Sequence, residues 1–125
     1  MSATKKFRIA LTADLYDETT GKLKCENMGL DVLDAQPHIE YDRFAEHQPQ
    51  IGVDQLRGVQ GALVWAPAVT AETVSQPENL LGISRIGVGF DKVDVAACTA
   101  ADVAVFTTQG AVDRSLAEAT ITWML

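Results

Sequence analysis

One ten-residue stretch, Arg85 to Asp94, constrains this chain more than any other. An apolar run that begins at Leu80 leads directly into two glycines, Gly87 and Gly89, and a segment of small residues follows. This order predicts a buried strand, a glycine-rich loop at its carboxyl end and a helix that starts near Asp94. Glycine lets backbone N–H groups approach a small anion, and a helix start adds partial positive charge. The loop is therefore predicted to be the centre of a binding site.

Strand-like and helix-like segments alternate along the chain. Apolar or alternating runs predict five strands, at residues 7–12, 39–44, 61–65, 82–88 and 103–106. Helical patterns are predicted near residues 28–33, 53–56 and 94–100, and Thr70 resembles a helix start. Such alternation favours parallel βαβ units with right-handed crossovers. We therefore predict an α/β fold, a flavodoxin-like doubly wound parallel sheet of five strands in the order 2-1-3-4-5, with ligands outside the carboxyl ends of the strands.

Charge and composition argue against several classes of partner. The formal net charge of −7 disfavours nucleic acid, which needs clustered Lys and Arg, and the only basic cluster is short: Lys5, Lys6 and Arg8. No apolar run approaches the ~20 residues of a membrane-spanning helix, and the first six residues lack the apolar core of a signal peptide. Cys25 and Cys98 are far apart and lack metal-ligand spacing, so we expect no metal and a reduced, cytoplasmic compartment.

The C-terminal helical pattern is apolar around most of its circumference. It starts at Asp113 or Ser115 and continues to Leu125, and only Glu118 and Thr122 mark a polar strip. A helix of this kind needs burial on several sides. We therefore expect either that the chain is the front part of a longer protein or that a partner covers the helix. Self-association through this helix, most simply as a homodimer, is also expected.

Several short segments occur in the order in which one enzyme family carries them: Gly87-Val88-Gly89-Phe90-Asp91-Lys92-Val93-Asp94, Ala96-Ala97-Cys98-Thr99-Ala100-Ala101, Val103-Ala104-Val105, Thr108-Gln109-Gly110-Ala111 and Ser115-Leu116-Ala117-Glu118. These segments closely resemble the D-isomer-specific 2-hydroxyacid dehydrogenases, a family that includes phosphoglycerate, glyoxylate/hydroxypyruvate and D-lactate dehydrogenases. The resemblance is dense over residues 82–125 and loose over residues 7–81.

The resemblance implies a two-domain, NAD(P)-dependent oxidoreductase that transfers a hydride between nicotinamide and a small 2-hydroxy or 2-keto acid. Residues 1–110 would form the N-terminal segment of its substrate-binding domain, and residues 111–125 the start of an interdomain helix leading to a Rossmann domain. In the family, backbone amides that match Val88 and Gly89 hold the substrate carboxylate. The family's catalytic Arg, Glu and His and its dinucleotide fingerprint would lie beyond Leu125. This chain alone is therefore expected to hold no NAD or NADP, to contain no catalytic residue and to be inactive.

Other residues that could attract a functional assignment are weighed against simpler roles. Trp65 ends the third predicted strand and is predicted to be a pocket wall, because that strand end faces the same crevice. Where the family often has Asn after the last loop, this chain has Val112, so no side-chain contact with substrate is assigned there. Structural roles are predicted for Asp91 (turn), Asp94 (helix cap), Cys98 (buried filler), and His38, His47 and Asp14 (solvated residues).

A function of a different class stays open, because this fold also serves non-catalytic binding or oligomerisation modules. A receiver-like signalling domain would need an Asp after the third strand and a Lys after the fifth. The chain has Trp65-Ala66-Pro67 and Thr107-Thr108 in those places. A flavin module would need a hydroxyl- and glycine-rich loop after the first strand, where Thr12-Ala13-Asp14-Leu15 stands. These absences favour the dehydrogenase interpretation without saying which 2-hydroxy acid is used.

Overall fold

Five parallel strands form the centre of the molecule. In the computed structural model, which describes residues 5–125, the strands are β1 (Phe7–Leu11), β2 (Ile39–Arg43), β3 (Gly61–Val64), β4 (Gly82–Arg85) and β5 (Ala104–Phe106). They pair in the order β2-β1-β3-β4-β5, and all four pairings are parallel. The predicted fold class and strand order are confirmed. The first four residues, on which the argument against a signal peptide partly depends, lie outside the described range.

The fourth strand is shorter than the sequence predicts. The β4–β5 ladder ends where Ser84 lies opposite Phe106, and β4 itself ends at Arg85. Two residues later Gly87 has φ +142°, a conformation that side chains rarely allow, and the chain turns out of the sheet there. Residues 86–94 therefore form a loop, called here the glycine loop. It includes residues 86–88, which the sequence predicts to be the end of the strand.

Short helices connect the strands. The α-helices are α1 (Asp31–Asp34), α2 (Val95–Ala100) and α3 (Asp113–Met124), and short 3-10 helices cover Ala13–Leu15 and Val53–Leu56. The expected helix at Thr70 is only a turn. The Thr70 N–H donates to Thr73 Oγ1 at 3.0 Å, and that hydroxyl donates to the carbonyl of Ile51 at 2.7 Å. Side-chain hydrogen bonds therefore tie this turn to a neighbouring segment, where a helix would have bonded to itself.

One face of the sheet carries the hydrophobic core. Successive strand residues point to opposite faces, so alternate positions such as Ala62 and Val64 share one of them. Val64, Ile83 and, from α2, Cys98 are each 0% exposed and belong to one buried cluster. Burying such side chains stabilises the fold by roughly 1.5–3 kcal/mol each. The other face is covered less: a groove of about 350 Å³ runs along it, lined mainly by apolar strand residues, among them Phe7, Ile9, Leu63 and Phe106.

Helix α3 lies at the surface of the molecule. Every side chain from residue 113 to 125 is exposed except that of Ala119, which is half-buried. Trp123 is 87% exposed, and Arg114 and Glu118 form an ion pair one helical turn apart at 2.7 Å. Exposed apolar side chains on a surface helix favour contact with another surface. The sequence predicts the same need for this helix. Within residues 5–125, no helix is long and apolar enough to cross a membrane.

Candidate functional site

The carboxyl ends of neighbouring parallel strands bring four connecting segments to one edge of the sheet. They are the segment after β1, the segment after β3 that starts at Trp65, the glycine loop after β4, and the segment after β5 that starts at Thr107. Lys92 of the glycine loop donates from Nζ to the carbonyl of Ala66 at 3.2 Å. The structure therefore brings the glycine loop and the segment after β3 together through Lys92 and Ala66, at the edge where parallel sheets hold ligands.

The glycine loop is fixed at both of its ends. At the first end, the Gly87 N–H donates to Thr108 Oγ1 at 2.9 Å, and the Thr108 N–H donates to the Gly87 carbonyl at 3.1 Å. We call this reciprocal pair the loop clasp. At the other end, Val69 donates to the Lys92 carbonyl at 2.9 Å and accepts from the Asp94 N–H at 2.8 Å. A loop held in this way needs little reordering when a ligand arrives.

Between these fixed ends, the five consecutive backbone donors from Val88 to Lys92 have no acceptor among residues 5–125, and Val88 and Gly89 are the first two of them. Val88 is 37% exposed, and Gly89 is exposed as well. Backbone N–H groups that are not satisfied by the protein bond to water or to a ligand. Two adjacent donors on a fixed loop can hold the oxygens of a small anion.

Basic side chains lie next to these donors. The Arg85 guanidinium packs against Gly87 so closely that a Cβ on that glycine would overlap it. Within residues 5–125, neither Arg85 nor Lys92 forms an ion pair with a carboxylate, although the chain has 17 acidic residues. One acidic group is near: Asp91 Oδ1 is 3.4 Å from the position that a Cβ on Gly89 would take. Asp94 lies in the loop as well, and Asp14 accepts from the N–H of Ala66, the residue whose carbonyl accepts from Lys92, so the two cations stand among several carboxylates.

Trp65 lies directly after β3, where the sequence predicts a pocket wall. Its side chain is 38% exposed, and the Lys24 Nζ lies 5.9 Å from the ring centroid, within the range of a cation–π contact. Its backbone N–H donates to the buried Thr12 hydroxyl oxygen at 3.1 Å, which fixes the start of the segment. A partly exposed aromatic ring thus lies at the start of the segment after β3, next to Lys24.

Asp14 is not the solvated loop residue that the sequence predicts. Its Oδ2 accepts from the Ala66 N–H at 2.9 Å, while its Oδ1 is buried without a hydrogen-bond partner among the described residues. The reason is topological: β1 and β3 are neighbours, so the residue after one strand end reaches the backbone after the other. In the sequence, Asp14 is only an acidic residue three positions after a central strand. That position does not distinguish its role from those of Asp17 and Glu18, which follow it.

Other residues for which structural roles are predicted have such roles in the structure. Asp94 caps α2, since its Oδ1 accepts from the Ala97 N–H at 2.9 Å. Cys98 is fully buried, and burial, with a smaller contribution from the Asp94 charge, raises the pKa of its thiol, which keeps it protonated and unreactive. His38 and His47 are exposed. None of these residues adds a chemical group to the site.

A dinucleotide does not fit the glycine loop. Cofactor pyrophosphates bind where a tight glycine turn runs straight into a helix whose first N–H groups are free. Here α2 has only six residues, and the Asp94 carboxylate already occupies its N-terminus.

Among the described residues, no group of three or more His, Cys, Asp or Glu side chains could hold a metal ion. A groove of about 860 Å³ lies away from the loop, along β2, with Arg8, Glu40 and Arg57 among its lining residues. Its mixed charges indicate no particular ligand.

A five-stranded parallel sheet with a candidate anion loop at its carboxyl edge defines a class of ligand-binding α/β domain. The family follows from comparison with known proteins. A family model described as "D-isomer specific 2-hydroxyacid dehydrogenase, catalytic domain" matches residues 11–121. The chain belongs to the D-isomer specific 2-hydroxyacid dehydrogenase family, as the resemblance of its motifs predicted.

Individual relatives agree with this family. A hydroxypyruvate reductase of Thermotoga maritima is 29% identical over 120 residues, which are 96% of this chain and 36% of that protein. D-mandelate dehydrogenase of Rhodotorula graminis has a similar fold, with a TM-score of 0.63 at 20% identity over 96% of this chain and 36% of that one. A pyruvate reductase of Chlamydomonas reinhardtii gives a TM-score of 0.62 at 17% identity over 97% and 34%. The chain spans about a third of the length of these relatives.

Proposed function

We propose that this chain is the substrate-binding part of an NAD(P)-dependent D-2-hydroxyacid dehydrogenase. In this proposal the Val88 and Gly89 N–H groups hold the carboxylate of a small 2-hydroxy or 2-keto acid, and Trp65 forms a wall beside it. Residues 1–110 act as the substrate-binding segment, and residues 111–125 begin the connection to a domain that carries the nicotinamide cofactor. The observation that carries the proposal is the run of free N–H groups that begins with Val88 and Gly89, on a loop fixed at both ends.

Backbone donors suit the task of holding a carboxylate. The carboxylate of the substrate keeps its charge while the neighbouring carbon changes between alcohol and ketone, so its binding site must be stable rather than reactive. Hydrogen bonds to a charged group contribute about 1.5–3 kcal/mol each. Arg85 and Lys92, which have no acidic partner among residues 5–125, add a favourable potential around the loop. Asp91 opposes them and limits the affinity.

The chemical step is assigned to groups outside this chain. The Asp91 carboxylate beside Gly89 is exposed and is assigned no catalytic role, and the glycine loop does not fit a dinucleotide. A nicotinamide cofactor, NAD or NADP, would be held by the second domain of the enzyme.

We infer a reduced, cytoplasmic setting from the two free cysteines, Cys25 and Cys98, which are not joined to each other.

We expect D-lactate to shift the amide resonances of Val88 and Gly89 when it is titrated into the isotope-labelled 125-residue chain. Two charge-assisted hydrogen bonds, less the cost of association, predict a dissociation constant of about 1 mM or weaker. D-lactamide, which has the same shape without the charge, is the matched control and should leave these resonances in place. The same chain mixed with NADH and glyoxylate should oxidise no NADH. Equal shifts with both ligands, or none with D-lactate, would refute the carboxylate site.

Self-association through α3 is the second part of the proposal, supported by the exposed apolar side chains of that helix. We expect the chain to sediment as a dimer and the substitution Trp123→Glu to shift it to monomer. Because Trp123 is 87% exposed, the substitution should not destabilise the monomer. Thr122→Glu is the control, since it adds the same charge on the polar strip and should leave the dimer intact. A wild-type chain that is monomeric at high concentration would contradict this part alone.

A further inference from the structure

The loop clasp points to a role for a residue that does not touch the proposed ligand. We infer that Thr108 is a positioning residue for the carboxylate site, and this inference rests on the proposed function of Val88 and Gly89. Thr108 lies on the segment after β5, 21 residues away in sequence, and its hydroxyl oxygen accepts from the Gly87 N–H at 2.9 Å. Gly87 is the residue immediately before Val88 and Gly89, the donors assigned to the ligand.

The sheet cannot perform this task by itself. The last pair in the β4–β5 ladder is Ser84 with Phe106, so Gly87 lies beyond the regular ladder. The two hydrogen bonds of the clasp reconnect the segments there, at 2.9 Å and 3.1 Å. One of them requires a side-chain oxygen, because the acceptor for the Gly87 N–H is the Thr108 hydroxyl and not a backbone carbonyl. Serine could supply the same acceptor at this backbone position, and valine could not.

Gly87 is also the residue that most needs such a restraint. Glycine has the widest backbone freedom of any residue, and the φ of +142° at Gly87 is one of many conformations that it could adopt. A change of φ or ψ at Gly87 would reorient the Val88 and Gly89 N–H groups together. The clasp therefore converts a flexible residue into a fixed support: the Thr108 N–H holds the Gly87 carbonyl, and the Thr108 hydroxyl oxygen holds the Gly87 N–H.

The effect should appear in ligand binding more than in folding. Thr108 is half-buried in a surface segment, so exchanging its hydroxyl for a methyl group leaves the core cluster unchanged. The Gly87 N–H would lose its partner, and the loop would sample conformations that do not present both donors. In a complete dehydrogenase the carboxylate is held equally in ground state and transition state. Loss of that uniform binding raises KM and changes kcat less.

The experiment compares Thr108→Val, which keeps the shape and removes the acceptor, with Thr108→Ser, which keeps the acceptor. Both are titrated with D-lactate in the 125-residue chain, followed at the Val88 and Gly89 amides, and their thermal melts are recorded. We expect the serine variant to bind like wild type. The valine variant should bind about tenfold more weakly, with faster hydrogen exchange at the Gly87 amide, because about 1.4 kcal/mol corresponds to tenfold in affinity.

The outcomes separate the two proposals. A wild-type chain that shows no shift at Val88 and Gly89 overturns the carboxylate site and the role of Thr108 together. A wild-type chain that binds D-lactate, together with a folded valine variant that binds it equally well, overturns the positioning role alone. If the valine variant does not fold, Thr108→Ala takes its place. Failure of both variants to fold would show that Thr108 is structural, which also overturns the inference.

Discussion

Replacing Gly87 with alanine is expected to destabilise the domain by about 1–3 kcal/mol, the usual cost of a residue held in a sparsely populated backbone conformation. The φ of +142° at Gly87 lies in the region that side chains rarely adopt. In addition, the new Cβ would overlap the Arg85 guanidinium, which must move away from the loop. For a domain of this size the midpoint of thermal unfolding, Tm, should fall by about 5–15 °C. Calorimetry or circular dichroism of the purified variant measures this change.

Two other glycines provide matched controls for that substitution. Gly89→Ala should change Tm little, because Gly89 has no positive φ and its Cβ would make an ordinary contact with Asp91 at 3.4 Å. Gly110→Ala tests backbone strain alone, since Gly110 has φ +80° and nothing within 4 Å of an added Cβ. We expect its effect to lie between the other two. If Gly87→Ala were as stable as Gly89→Ala, the loop conformation described here would be wrong.

The order of the strands could be predicted because it depends on patterns that are local in sequence. Each strand is a short apolar run, and short helical segments separate them, so right-handed crossovers leave few possible sheets. The observed order β2-β1-β3-β4-β5 agrees with that expectation. The position of the glycine loop at the carboxyl edge followed from the same pattern, since the Gly87–Gly89 pair comes directly after an apolar run.

The details of the loop could not be predicted because they depend on contacts between distant residues. Sequence analysis treats Gly87 and Gly89 alike, yet only Gly87 has a positive φ. Of the two, only Gly87 pairs with Thr108, 21 residues away. Asp14 shows the same effect over a separation of 52 residues, because its bond to Ala66 exists only when β1 and β3 are neighbours. Residue identity gave no indication of either contact.

Gly89 is the position where binding and folding are expected to separate most clearly. Gly89→Val should raise the dissociation constant for D-lactate, and KM in the complete dehydrogenase, by about tenfold or more, the factor that corresponds to about 1.4 kcal/mol. A valine side chain on this residue lies beside its own free N–H and fills space that the carboxylate would use. Valine is also stiff about χ1, so it cannot easily turn aside. Because φ at Gly89 is not positive, the free energy of unfolding should change by less than about 1 kcal/mol.

The comparison uses wild type, Gly89→Ala and Gly89→Val. Binding is followed at the Val88 amide in the 125-residue chain, and KM and kcat/KM are measured in the complete enzyme. Alanine should have a small effect and valine a large one, since the difference between them is only the volume in front of the N–H. Thermal melts of all three should agree within a few degrees, which attributes the loss to the site. A stably folded Gly89→Val variant with unchanged binding and unchanged KM would show that this loop is only a turn, and the carboxylate of the substrate would then have to be held elsewhere.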